Sequence, residues 1–193
     1  MDRNYHALEF VPRQSDPERK WALSVKQPLA ALIARGLTRI VTKSQAPPPE
    51  LIGKRIALHA GAGNVPYKAF SEHAAEWAKA AFGAELRDLR YLLPHGGVIA
   101  TVELEAAFRI GRVIDGHAWA NPLGKFSAHY AGRWKGHDGT RVFEQGDVDG
   151  RWAWALTAPE LCKRTVPLRG YGGIFDLERA REIEAQAQQG DAA

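Results

Sequence analysis

The stretch ALSVKQPLAALIARG, residues 22–36, places polar side chains between an apolar run and a helix that opens with a proline. Ser24, Lys26 and Gln27 lie where a predicted strand ends and this helix begins. Free backbone N–H groups and the dipole at a helix N-terminus favour anions, and Lys26 adds a full positive charge. The segment therefore predicts contacts to a phosphate or a base. The structural alternative is a surface lysine beside a glutamine that caps the helix.

Basic residues are concentrated near the start of the chain. Residues 19–55 contain eight lysines and arginines and a single acidic residue, Glu50, which gives this segment a net charge of +7. The whole chain has a net charge of +4, so the remaining residues carry −3. Clustered lysines and arginines hold phosphates in many proteins, and the asymmetry predicts a polyanion-binding face. A solvated basic surface is the alternative interpretation.

The composition is that of a globular protein. The chain has 193 residues, of which 45% are hydrophobic, enough for one domain with a sizeable core. No uncharged run approaches the roughly 18 apolar residues of a membrane span, and residues 1–20 lack the apolar centre of a secretory signal. We therefore expect a cytoplasmic protein with no membrane partner. Cys162 is the single cysteine, and no two histidines have metal-binding spacing, which argues against a disulfide, a metal site or another cofactor.

Short strands and helices alternate along the chain. Strands are predicted at residues 21–25, 38–43, 55–60, 96–108, 151–156, 164–168 and 172–177. Helices are predicted at residues 28–35, 64–82, 84–92 and from residue 178 onward. Residues 111–150 contain eight glycines and little periodicity, which indicates a glycine-rich excursion or lid. The pattern predicts an α+β fold, a small mixed β-barrel with helices packed at its mouth and a helical insertion at residues 64–93.

Several motifs resemble a known family. They are LSVKQPLAALIARG, TRIVTKS, GKRIALHAG, GGVIATVEL, RWAWAL and VPLRGYGGIFDL. In order and spacing they are similar to the ASCH domain, the activating signal cointegrator homology module of the PUA-like superfamily, over residues 21–177. Residues 1–20 would then be a polar N-terminal extension, and residues 178–193 a C-terminal helix and tail. The resemblance implies a PUA-like β-barrel with a cleft beside the first helix, and work on RNA or modified nucleosides.

The segment after the first helix departs from the family's pattern. Similar ASCH sequences run Gly-Lys-Lys-Thr-x-Glu-x-Arg-Ser here, whereas this chain has GLTRIVTKS, with Thr38 in place of a lysine and Val41 in place of the glutamate. In hydrolytic relatives that lysine and a nearby threonine are thought to act as base and nucleophile. The departure favours binding without turnover, unless Lys26, Lys43 and Glu103 form a substitute arrangement.

Further candidate residues lie on the predicted strands, and each has two interpretations. His59 matches the family's I-H-A and either reaches into the cleft or is a hydrogen-bonded structural histidine. Glu103 is either a cleft acid or an outward-facing carboxylate. Trp152 and Trp154 share one strand face and belong either to the core or to a stacking platform for bases.

The leading interpretation is a single domain that binds RNA or single-stranded nucleic acid through a basic cleft. Its predicted ligand-contacting residues are Ser24, Lys26, Gln27, Arg39, Lys43, Ser44, His59, Arg151, Trp152 and Arg169. The alternative is a hydrolase of an RNA phosphodiester or an acylated nucleoside, with Lys26, Lys43 and Glu103 as catalytic candidates. A protein-interaction adaptor is the third hypothesis, and the sequence leaves the oligomeric state open.

Overall fold

The computed structural model of the chain describes residues 20–63, 79–84, 88–114, 117–120, 140–141 and 151–190. The strands are β1 (Trp21–Val25), β2 (Ile40–Lys43), β3 (Lys54–Ala60), β4 (Gly97–Ile114), β5 (His117–Ala120), β6 (Thr140–Arg141), β7 (Trp152–Pro167) and β8 (Ile174–Asp176). The α-helices are α1 (Leu29–Ala34), α2 (Leu89–Leu92) and α3 (Leu177–Gly190), and Pro49–Leu51 form a 3-10 turn. Most of the predicted N-terminal extension, helical insertion and glycine-rich excursion lies outside the described residues.

The strands form one curled sheet, and the fold is α+β. The main path of hydrogen-bonded neighbours is β2–β7–β4–β3–β1–β8. Off this path, β5 pairs with β4 and with β6. β1 and β3 are parallel, whereas the other pairs on this path are antiparallel. The six strands of the main path make a curled half-barrel, which is compatible with the small mixed barrel predicted from the sequence.

A single side-chain contact shows how strongly the sheet curls. β2 and β1 are four places apart in the strand order, which corresponds to about 19 Å in a flat sheet. Lys43 at the end of β2 nevertheless donates a hydrogen bond to the main-chain oxygen of Ser24 on β1, with Nζ and O 3.0 Å apart. We call this meeting point of β2 and β1, defined by Lys43 and Ser24, the seam.

Helix α1 fills the inside of the curled sheet. Its sequence, LAALIA, is apolar on every side, and all six residues are buried. All of them except Ala31 belong to the same core cluster as Leu23, Leu58 and Trp154. The helix ends before Gly36, whose φ of +70° favours glycine. The predicted helix at residues 28–35 is thus confirmed.

Helix α3 covers the opposite face of β1 and β3. Leu177 and Ala180 of this helix pack in a second cluster that includes Ala22, Ala57 and Phe175. Asp176 caps α3, because its Oδ1 accepts hydrogen bonds from the main-chain N–H groups of the second and third helical residues. The side chains of alternate residues on β1 therefore enter two different environments, the inside of the curl and the layer beneath α3.

The structure differs from the predicted strands in two places. β4 continues to Ile114 and is followed by β5 and β6, so part of the segment 111–150 is strand rather than irregular excursion. The predicted strands at 151–156 and 164–168 are one strand, β7, which remains paired with β4 through several register shifts. Ala158, with a φ of 44°, and the following Pro159 interrupt the sequence pattern but not the strand. None of the described helices is long and apolar enough to cross a membrane.

Candidate functional site

Ser24 and His59 meet across the parallel pair β1 and β3. The two residues are register partners, and Ser24 Oγ lies 3.0 Å from His59 Nδ1. Both side chains point into the layer beneath α3, because register partners project from the same face of a sheet. His59 is fully buried, whereas Ser24 is partly exposed. The pair therefore joins a buried imidazole to the hydroxyl of a partly exposed serine.

A main-chain carbonyl orients the imidazole of His59. Its Nε2 lies 2.8 Å from Leu168 O, and a carbonyl oxygen only accepts, so Nε2 carries the hydrogen. Burial lowers the pKa of His59 below its usual value, while the Leu168 carbonyl and the charge of Glu184 act in the opposite direction. In the resulting neutral ring Nδ1 is an acceptor, and the Ser24 hydroxyl donates to it.

Gly170 lets the chain after β7 pass close to this ring. A Cβ built at Gly170 would lie 2.2 Å from His59 Cε1 and 2.6 Å from Nδ1, a distance that no side chain tolerates. The edge of the imidazole also contacts the ring of Phe175, at 5.7 Å between centroids. His59 is thus held on several sides, which fixes the direction in which Nδ1 faces Ser24.

Lys43 and Arg151 bring positive charge to the seam. Lys43 donates to Ser24 O, and Arg151 Nη2 lies 3.4 Å from Thr42 O. Thr42 is buried, and its Oγ1 has no hydrogen-bond partner among the described residues. Two cations therefore lie at the end of β2 that approaches β1.

Trp152 on β7 lies between two basic residues, one on each neighbouring strand. Its register partner on β2 is Lys43, and its register partner on β4 is Arg109. Opposed residues of antiparallel strands project from the same face, with Cβ atoms about 5 Å apart. Trp152 is partly buried against the core and partly exposed, and Arg109 is exposed. An indole thus lies in a row between two cations, which we call the Lys43–Trp152–Arg109 row.

Trp154, the other tryptophan of this strand face, belongs to the core. It is 3% exposed and packs with Val41 and Ala107, its register partners. Its Nε1 donates to Gln45 O at 3.0 Å, which satisfies the indole N–H. Of the two alternatives weighed for this residue, the structure shows the core.

Gln27 has a structural position. It is fully buried, its Oε1 accepts the N–H of Ala31 in α1 at 3.0 Å, and its Nε2 donates to Pro94 O at 2.7 Å. The amide thus replaces a main-chain acceptor in the first turn of the helix and ties that turn to the segment before β4. The helix-cap alternative describes Gln27 better than a ligand contact.

The remaining predicted ligand contacts are exposed but do not all lie together. Lys26 and Ser44 follow the strand ends at the seam. Arg39 precedes β2, four residues and therefore about 13 Å away from Lys43 along the chain. Arg169 follows Leu168, and its main-chain N–H donates to Glu184 Oε1 of α3. The structure thus places Lys26 and Ser44 near the seam, Arg169 near His59, and Arg39 at the opposite end of β2.

The substitute catalytic arrangement of Lys26, Lys43 and Glu103 is not assembled. Glu103 is the register partner of Arg55 on β3, four residues from His59 and therefore about 13 Å along the strand. The seam lies at the other end of β3, where Ser24 pairs with His59.

Other basic residues of the segment 19–55 have partners away from the seam. Lys20 pairs with Asp176 at 3.5 Å, Arg55 pairs with Glu160 at 3.2 Å, and the Arg35 guanidinium lies 4.4 Å from the centroid of the Phe82 ring. The local charge of +7 is therefore divided among several surfaces, and of the basic face predicted from the sequence only the part at the seam remains together.

Sequence reasoning missed Arg109, Gly170 and the Leu168 carbonyl. The position of Arg109 beside Trp152 follows only from the register of β4 and β7. The residues around Arg109 in the sequence are like those of any half-buried strand, so they do not single it out. The R-G pair at residues 169–170 lies in one of the motifs that resemble the family. The close approach to His59 gives the reason why residue 170 is a glycine. Among the residues that the structure describes, no cluster of three His, Cys, Asp or Glu side chains is arranged to hold a metal ion.

Comparison with known proteins does not identify the chain. A scan against protein-family models matches no family, and a search of curated proteins finds no significant match.

Proposed function

We propose that this protein binds RNA or single-stranded nucleic acid at the seam. In this proposal Trp152 stacks on a base, while Lys43 and Arg109 hold the flanking phosphates. The observation that carries it is the Lys43–Trp152–Arg109 row, in which a partly exposed indole has a cation in register on each side.

The chemistry of the row suits a single strand better than a duplex. Proteins that bind single strands combine a positively charged groove with aromatic side chains on which bases stack. A base already paired in a helix offers no free face to an indole, whereas an unpaired base does. Arg151 and exposed Lys26 and Ser44 lie at neighbouring strand ends and extend the polar surface around the row.

The proposal includes the family that the motifs resemble. The order of β1, α1, β2 and β3, the curled sheet and the helix inside it support an ASCH domain of the PUA-like superfamily. The absence of the lysine at Thr38, and the distance of Glu103 from the seam, support binding without the family's own hydrolytic chemistry.

Fluorescence anisotropy with a short unstructured RNA tests the proposal. Arg109→Ala and Trp152→Leu should each weaken binding by roughly tenfold to a hundredfold, because a charged hydrogen bond or a stacked base contributes about 1–3 kcal/mol. Affinity should also fall as salt rises, with a slope of about −0.7 for each phosphate contacted. Trp152→Phe keeps an aromatic ring and should retain most of the affinity.

Lys54→Ala provides the matched control. Lys54 is an exposed lysine at the start of β3, away from the seam, so its removal changes the net charge equally without touching the row. If Lys54→Ala and Arg109→Ala weaken binding equally, the attraction is diffuse and the row is not the site. Affinity that does not change with salt, or no RNA binding at all, would favour the protein-adaptor hypothesis instead.

A further inference from the structure

We propose that Ser24 is a nucleophile activated by His59, and that the protein transfers and hydrolyses small acyl groups from carboxylic esters. The inference rests on a juxtaposition that nucleic-acid binding does not use. The hydroxyl of a partly exposed serine lies 3.0 Å from an imidazole nitrogen of the fully buried His59, and the far side of that imidazole is fixed by a carbonyl oxygen.

These three groups have the relationship that an activated serine needs. The nucleophile and its base lie within hydrogen-bond reach, and a third group orients the base. Leu168 O takes the part that a carboxylate plays in a Ser-His-Asp triad, because it accepts the Nε2 hydrogen and leaves Nδ1 as the acceptor facing Ser24. The neutral ring, favoured by burial, is the form that removes a proton.

Ser24 has open space on the side of Gly61 and a charged group on the side of Lys43. A Cβ built at Gly61 would lie 3.8 Å from Ser24 Oγ, so the glycine keeps this flank of the hydroxyl open to a small group. The Lys43 ammonium lies 3.0 Å from the main-chain oxygen of the same serine. This bond holds the main chain of Ser24 in place, and with it the position from which the hydroxyl faces His59.

The reaction follows from these positions. Ser24 Oγ attacks the ester carbonyl carbon while its proton passes to His59 Nδ1. The carbon–oxygen bond to the alcohol breaks, and the alcohol leaves with that proton. A water molecule then gives a proton to Nδ1 and attacks the acyl-serine, which releases the carboxylic acid and regenerates Ser24. No oxidant, metal or other co-reactant is required.

The test is acylation of the full chain with p-nitrophenyl acetate and with a fluorophosphonate probe, followed by peptide mass spectrometry. We expect stoichiometric modification of Ser24 in the wild type. His59→Gln should slow the acylation by about 10²–10⁴-fold, the usual contribution of a general base. Lys54→Ala, which changes an exposed residue at the far end of β3, should leave it unchanged.

Ser24→Ala and Ser24→Cys keep the test falsifiable if a variant folds poorly. Ser24→Ala should lose the modification while retaining the circular dichroism of the wild type, and Ser24→Cys should restore acylation because a thiol is also a nucleophile. A folded wild type that is not modified at Ser24, or that is modified no faster than His59→Gln, would overturn the proposal. Neither outcome affects RNA binding by the Lys43–Trp152–Arg109 row, so the two proposals fail separately.

Discussion

Gly170 shows how one missing side chain maintains the arrangement around His59. We expect Gly170→Ala to lower the free energy of unfolding by about 1–3 kcal/mol, because the new methyl group would force the imidazole and the Leu168 carbonyl apart. Urea denaturation measures the change. Gly172→Ala is the matched control, since nothing lies within 4 Å of a Cβ built there. Equal effects of the two substitutions would mean that the chain after β7 adjusts without strain.

His59 should also make stability depend on pH. The folded state holds the pKa of His59 below the usual 6.5, chiefly through burial. As pH falls through about 6.5 the unfolded chain therefore binds a proton that the folded chain does not. We expect the free energy of unfolding to decrease from this pH downward and to stop decreasing below the folded pKa.

Comparison with His59→Gln isolates this contribution from the other histidines. Urea denaturation between pH 8 and pH 5 should show a steeper loss of stability for the wild type than for the variant. Parallel profiles would contradict the assignment of a buried neutral imidazole. The same carbonyl bond and the Glu184 charge raise the pKa, so removal of the charge in Glu184→Gln should widen the pH range of the loss.

At the residue scale, the sequence singled out individual residues but did not predict which of them are in contact. Ser24, Lys43 and His59 were all predicted as site residues from their motifs. The Ser24–His59 bond joins residues 35 positions apart and exists because β1 and β3 pair in parallel with these two in register. No local pattern specifies that register, since both strands are short and apolar around the polar residue.

Among the elements, α3 depends for stability on Asp176, the residue that precedes it and caps its first turn. Asp176→Ala should cost about 0.5–2 kcal/mol, because two main-chain N–H groups lose their acceptor. These same N–H groups, led by that of Arg179, lower the pKa of Asp176. Their stabilising effect is present above the usual pKa of the carboxyl and is lost as pH falls through the folded pKa.

Glu182→Ala is the control for this cap, because Glu182 is an exposed residue within the same helix. Thermal denaturation should show a clear decrease for Asp176→Ala and little change for Glu182→Ala. A small effect of Asp176→Ala would mean that packing of Leu177 and Ala180 alone sustains the helix.

Strand and helix positions were largely predictable, while strand length was not. β1 was predicted from its composition, and α1 from the proline and glycine at its ends. β7 was predicted as two strands, and Ala158 and Pro159 lie between them in the sequence. Pairing with β4 carries the strand across this point by shifts of register, and such shifts depend on the partner strand rather than on local propensity.

For the whole molecule, the sequence indicated an α+β architecture with a barrel-like, curled sheet, but not which strands meet at the seam. Basic residues that were grouped by their proximity in the sequence, such as Lys20 and Lys43, lie on different surfaces. The charge of the segment 19–55 therefore overstated the size of one basic face. Which of these charges lie close together depends on the strand to which each lysine or arginine belongs.

The pairing of β1 with β8 links opposite ends of the described chain. Because a ribosome makes proteins from the N-terminus, β1 emerges well before β8, the strand that protects its outer edge. An uncovered edge offers free N–H and C=O groups to the strands of other nascent chains. In the folded protein Lys43 occupies one of these oxygens, that of Ser24, and places a charge at the edge. The same lysine that closes the seam is thus positioned to discourage edge-to-edge aggregation once the sheet has curled.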